Sequence, residues 1–361
     1  MKLLSTLMLI VVWVALCHGE EYWFLPFKEI WSYDLKEPIN DVIAADHKIF
    51  LVGENSFQAL DACTGKMLLT TTIPKGEYWP ARLAGDGNRV YVAIQGKEVH
   101  AYNVQTLKQE WSIHVEGPNT SLAASYNIVI FEKEEGKLAA CSADNHQTLW
   151  KFNYEEAFNA PFYDLSDKPI MVKHKLIIYN DTGGIICIDV HSGKEIWKYD
   201  YAQQDKEMHI NNIITDNEKL YVSIREIGLV AMDIETGEIE WKYDIQGINE
   251  ATLSSELILF MNDRGVLHAC NRKTGELAWK SIVSCNSSTP VVYHNLILFP
   301  GIFAYDNSGK KLWEWPTGAD YFKLIPINSG ALLYKAPRPG RWGFVAYCMA
   351  LSCHIKKSCS S

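Results

Sequence analysis

The chain has 361 residues, with 34 Lys and Arg against 43 Asp and Glu, a formal net charge of −9 and 48% hydrophobic residues. An acidic balance of this size argues against nucleic acid and anionic membrane surfaces as partners. The length is enough for one large domain with a sizeable core and does not force two.

At the N-terminus, Lys2 precedes an apolar run from Leu3 to Leu16, and Cys17-His18-Gly19 follows. The run is short for a bilayer span, and small residues stand at the −3 and −1 positions for cleavage after Gly19. The expectation is a signal peptide over 1–19, a folded domain over 20–350 and a tail over 351–361, placing the mature chain in an extracytoplasmic compartment or secreted. Acylation of Cys17 is disfavoured by Leu16, since lipoprotein signals place a small residue there.

The first predicted strand surrounds Trp31, in Lys28-Glu29-Ile30-Trp31-Ser32-Tyr33-Asp34. From there a unit repeats: a small apolar strand, a polar turn centred on Thr-Gly or Ser-Gly, and a short strand ending in Trp. The clear copies run Cys187-Ile188-Asp189 through Ser192-Gly193 to Trp197, Ala231-Met232-Asp233 through Thr236-Gly237 to Trp241, and Ala269-Cys270-Asn271 through Thr274-Gly275 to Trp279. Weaker copies end at Leu69 (in place of Trp), Trp111, Trp150 and Trp313. Anchors thus recur at separations of 34 to 47 residues, the span of four short antiparallel strands. Asp, Asn, Thr and Ser suit the turn because their side chains satisfy its backbone. Trp offers a flat surface to pack between repeats, with an N–H to place.

This A-x-D-x-x-T-G-x-x-x-W unit resembles the tryptophan-docking motif of pyrroloquinoline-quinone-type β-propellers, and the resemblance covers essentially the whole mature chain. It implies an all-β, eight-bladed propeller of four-stranded antiparallel blades. Trp31, Trp111, Trp150, Trp197, Trp241, Trp279 and Trp313 would be its structural docking residues. Three C-terminal runs, Phe322 to Asn328, Gly330 to Lys335 and Trp342 to Met349, lack an outermost strand; the Trp31 strand supplies it and closes the ring. Seven blades is the alternative.

With strands lettered A to D outward, A–B and C–D turns share one face, and B–C turns and D–A connections share the other. The resemblance places ligand sites on the second face. There the sequence offers Trp79, Arg82, Tyr163, Asp164, His209, Arg225, Glu250 and Arg264 as candidate binding residues at the propeller mouth. No catalytic residue and no metal ligand is assigned. Quinone-dependent members hold pyrroloquinoline quinone with calcium, often beside a disulfide of adjacent cysteines; no Cys-Cys pair occurs here. The resemblance is therefore to the non-catalytic exported members, which implies a binding or assembly scaffold with a protein or glycan partner, as a monomer or part of a larger assembly, and no cofactor. A quinone-dependent oxidoreductase with a degenerate site is the alternative.

Cys141, Cys187 and Cys270 fall on third strands of different blades and are expected as buried free thiols. Cys63, in the first C–D turn, and Cys353, beyond the last strand, are a candidate disulfide across the closure. Asn119, Asn180 and Asn286 begin N-x-S/T sequons.

Overall fold

The computed structural model describes residues 27–35, 37–75, 81–94, 96–116, 121–158, 169–180, 183–200, 208–283, 289–293, 296–299, 303–314, 324–326, 331–338 and 341–349. Within them lie eight four-stranded antiparallel sheets, each made of strands consecutive in sequence except the last. Blade one runs Ile39–Ala45, Lys48–Gly53, Ser56–Asp61 and Met67–Thr72. Blade five runs Ile210–Thr215, Lys219–Ile224, Gly228–Asp233 and Ile239–Asp244, and blade six starts with Ile248–Leu253. Blade eight is assembled from both ends of the domain. Leu324–Pro326, Ala331–Arg338 and Arg341–Met349 supply strands A to C, and Phe27–Leu35 is strand D, pairing Trp31 with Ala346. The expected eight blades and their closure by the Trp31 strand are both present.

The four strands of a blade differ in composition because they differ in burial. Strands B and C are covered on both sides and read as continuous apolar runs: Ile49, Phe50, Leu51 and Val52, or Leu257 to Met261. Strand D is the outer edge and alternates, as in Met67–Thr72 and Leu277–Ile282. The core consists of slabs between adjacent blades. One slab joins Trp31 and Leu35 of blade eight to Ile49, Leu51 and Leu60 of blade one. Another joins Tyr221, Leu229 and Ala231 of blade five to Ile258, Phe260 and Cys270 of blade six.

The repeat's turn residues do what their chemistry suggests. Asp233 Oδ1 accepts the N–H groups of Glu235 and Thr236 and the Thr236 hydroxyl. Asp61 and Asp189 hold their turns the same way. The docking Trp residues, however, serve the following blade. Five donate the indole N–H to a carbonyl in the next C–D turn: Trp31 to Ala62 at 3.1 Å, Trp111 to Ala143 at 2.9 Å, Trp150 to Val190 at 2.6 Å, Trp197 to Ile234 at 3.1 Å and Trp279 to Asn307 at 2.8 Å. Trp241 lays its ring on Gly275 while its buried N–H finds no acceptor among the described residues, and the side chain of Trp313 lies outside the described residues. Where the next turn has a glycine, the ring lies over it. A Cβ on Gly237, whose φ is +72°, would sit 2.6 Å from the Trp197 ring. Where blade one has Leu69 in place of Trp, blade two has Leu107 in place of Gly, and both pack on one slab. Trp111 meets His146 edge-on at the same place.

Two local features stand apart from the repeat. The connection after Asn153 begins with a short helix, Tyr154–Phe158. Its Tyr154 hydroxyl donates to Glu132 Oε1 at 2.5 Å, and the Gly136 N–H donates to the same oxygen. Burial, with the Glu132 charge added, pushes the Tyr154 phenol far up. Glu132 is only 1% exposed, so this carboxylate pins the helix over blade three. Asn180 of the second sequon is also buried, with its Oδ1 accepting the Gly184 N–H at 2.6 Å.

Candidate functional site

Blades five and six form the best-defined part of the B–C/D–A face. The B–C turn of blade five carries Arg225 and Glu226. Glu226 reaches back to the start of its blade: Oε2 accepts the His209 N–H at 2.8 Å, and Oε1 lies 2.7 Å from His209 Nδ1. Burial alone would raise this carboxyl; the two bonds from His209 outweigh it and hold the group below the usual range. The His209 carbonyl in turn accepts the Arg225 N–H. One carboxylate thus fixes the loop that presents Arg225, which is exposed.

The order continues into blade six. The Gly247 N–H donates to the Arg225 carbonyl, and the Asp263 N–H donates to the Gly247 carbonyl, both at 2.8 Å. Only glycine fits at 247: its φ is +70°, and a Cβ would lie 2.3 Å from the Asp263 carboxyl carbon. Exposed Arg264 follows, its N–H held by Asn262 Oδ1. The result is a backbone-linked ridge, His209–Arg225–Gly247–Asp263–Arg264, with both arginines directed by fixed turns.

Beneath the ridge the innermost strands are tied together by a short motif that sequence reading missed. Ile-Asn followed by Asp, Asn or Glu opens strand A at Ile39-Asn40-Asp41, Ile210-Asn211-Asn212 and Ile248-Asn249-Glu250. Each copy carries a register shift. The third residue then bonds the next blade. Asp41 Oδ2 accepts the Leu83 N–H; Asn212 exchanges two bonds with Ala251; Glu250 Oε2 accepts the Thr289 hydroxyl. The signal was three copies of one tripeptide, spread too widely to show against the stronger Trp spacing. It gives Glu250 a structural partner as well as an exposed position.

Of the other candidates, Arg82 opens strand A of blade two opposite Ala93 and is half-buried. Trp79, Tyr163 and Asp164 lie outside the described residues. Arg338 and Arg341 terminate the B and C strands of blade eight on this same face. The face therefore carries Arg82, Arg225, Arg264, Arg338 and Arg341, and the opposite face Arg89 and Arg272. Arg89 is committed there, bonding Glu110 at 2.6 Å and Asp144 at 2.8 Å.

Among the described residues no group of three or more His, Cys, Asp or Glu is arranged to hold a metal. Cys141, Cys187 and Cys270 are buried free thiols, and burial pushes Cys187 and Cys270 up to about 12. Cys63 is disulfide-bonded, with a partner outside the described side chains.

Residues 28–281, from the closing strand through blade six, match the family described as outer membrane protein assembly factor BamB. The chain belongs to that family. A BamB of Vibrio cholerae is 28% identical over 149 residues, 38% of this chain and 37% of the relative. A BamB of Shewanella oneidensis is 23% identical over 308 residues, 76% of this chain and 75% of the relative. The chain thus spans little more than a third of the first relative and three quarters of the second. BamB from Moraxella catarrhalis superposes with a TM-score of 0.68 at 15% identity, covering 89% of this chain and 97% of that one. A quinohemoprotein alcohol dehydrogenase from Pseudomonas putida superposes with a TM-score of 0.65 at 13% identity, covering 90% and 76%. At these identities the superpositions speak to the fold alone. The family match is what favours the BamB branch over the quinoprotein dehydrogenases.

Proposed function

We propose that the chain is a non-catalytic, exported assembly scaffold that holds a protein partner on its B–C/D–A face. Membership of the BamB family over residues 28–281 carries this reading. The blade five–six ridge supports it locally. Arg225 and Arg264 stand exposed on turns fixed by Glu226, Gly247 and Asn262, which is the preorganised guanidinium display that interfaces favour. No helix among the described residues is long and apolar enough to cross a membrane. Export would rest on the 1–19 leader, cleaved after Gly19.

A photo-crosslinking residue placed at Arg225 or Arg264 in cells is expected to trap a discrete protein adduct, while placement at Asp144 or Lys273 on the opposite face traps none. Adducts from the opposite face alone would overturn the assignment. Copurifying quinone with stoichiometric calcium would revive the oxidoreductase alternative.

The partner of Cys63 is proposed to be Cys353. Cys63 follows Ala62, whose carbonyl receives the Trp31 indole at the seam between blades eight and one. Peptide mapping without reductant is expected to recover the two cysteines linked; recovery of Cys63 joined to any other cysteine overturns the pairing.

A further inference from the structure

We propose that His174 and His191 form a binding site for a divalent transition-metal ion on the A–B/C–D face of blade four, opposite the proposed partner face. The two residues are 17 apart in sequence, and His191 Nε2 lies 3.1 Å from His174 Nδ1. Zinc-to-imidazole bonds of roughly 2.0–2.1 Å spanning that gap subtend about 100° at the metal, between octahedral and tetrahedral angles. The rings therefore need little movement to chelate.

The fold imposes this juxtaposition. In each of blades one to six, an N–H in the C–D turn donates to a carbonyl of the A–B turn: Ala62 to His47, Val104 to Asn88, Ala143 to Asn127, Val190 to His174, Ile234 to Glu218 and Arg272 to Glu256. The A–B acceptor residue is thereby set beside the residue that follows the donor. In blade three those positions hold Asn127 and Asp144, which make an amide-to-carboxylate hydrogen bond at 2.6 Å. In blade four both are imidazoles. His174 is further fixed by its backbone, at φ +62°, and by the Tyr126 ring of blade three at 4.5 Å. The His191 ring lies 5.0 Å from that of His174.

Both imidazoles are exposed, so the remaining coordination positions are open to water or to an incoming ligand. Imidazole is a borderline donor suited to zinc, nickel and copper and poorly suited to calcium or magnesium. Binding requires each ring to present a lone pair at the facing nitrogen. His174 then carries its proton on Nε2 and His191 on Nδ1, and acidification releases the ion by protonating the donors. Lys173 and Lys175 flank His174; Lys175 is engaged by Glu235 at 2.5 Å.

The test is calorimetric titration of the full chain with Zn²⁺ at neutral pH. One equivalent is expected to bind, with affinity falling about tenfold or more in His174→Asn and in His191→Ala. Asn suits position 174 because Asn127 holds the same left-handed conformation in blade three. His47→Asn, the equivalent change in blade one, is expected to leave affinity unchanged. Copper(II) paramagnetic resonance supplies a second readout: two coordinated nitrogens in the parent and one in either variant. A parent chain without saturable zinc binding, or either variant binding as the parent does, overturns the site.

Discussion

The pairing of Trp197 with a glycine of the next blade makes a quantitative prediction at Gly237. In Gly237→Ala the new methyl group must occupy a left-handed backbone position, costing about 1–2 kcal/mol. It would also start 2.6 Å from the Trp197 ring, well inside the 3.5–4.0 Å of carbon–carbon contact. The indole has to withdraw by roughly 1 Å, which breaks its 3.1 Å hydrogen bond to Ile234 and loses about 0.5–1.5 kcal/mol. With some packing lost as well, the total is about 2–4 kcal/mol. Trp197→Ala alone should cost about 3–5 kcal/mol. In that background the Gly237→Ala change meets no ring and should cost only the backbone part, about 1–2 kcal/mol. Urea unfolding of the two single variants and the double variant measures the difference as a coupling energy. An equal cost for Gly237→Ala with and without Trp197 would refute the idea that the glycine exists to admit the ring.

Further predictions follow from the same contacts. Asn212→Ala removes both bonds to Ala251 and should cost about 1–3 kcal/mol in urea unfolding; Asn211→Asp is a poor substitute test because Asn211 donates to a different carbonyl, that of Ile248. Asn180→Ala leaves the Gly184 N–H buried and unpaired, with a similar loss, and Asn180 of the folded chain should carry no glycan by peptide mass analysis after expression in a glycosylating host. Cys141, Cys187 and Cys270 should resist iodoacetamide at mildly alkaline pH in the native state and react fully in denaturant, because burial holds all three thiols protonated. His268 is pulled below its usual value by burial first and by Lys280 second. Its neutral form therefore stabilises the fold fully above the unfolded value of about 6.5, and that contribution is lost as pH falls from there through the folded value. Stability measured across this range should fall less steeply in His268→Gln than in the parent.

The architecture was legible because it repeats. Seven spaced Trp residues and a Thr-Gly turn fixed the period, and three strands lacking a fourth pointed to the Trp31 strand for closure. What each Trp touches was not legible from one repeat at a time, since the glycine beneath Trp197 stands in the next unit. The substitution of Leu69 together with Leu107 is the trace that sequence could have offered. Strand parity sets His209, Arg225 and Arg264 on one face of the ring, and there they fall on one ridge. Nothing in the spacing joins Glu226 to His209, because only the turn geometry brings its carboxylate back over that backbone. The His174–His191 pair was hidden for the same reason. A backbone hydrogen bond between two turns creates the proximity, and neither turn advertises it.

The split blade has a consequence for synthesis. The strand Phe27–Leu35 is made long before its sheet partner among the described residues, Arg341–Met349, and can pair only once that segment has been translated. Until then it is an open edge with unpaired backbone groups, and the nascent ring has a second open edge waiting at the other end. Two unfinished copies at high local concentration present the same two edges to each other, so reciprocal exchange of the first strand satisfies every bond that self-closure does. Keeping newly made chains apart, or fastening the seam covalently soon after closure, then decides whether the product is a ring or an interlinked pair.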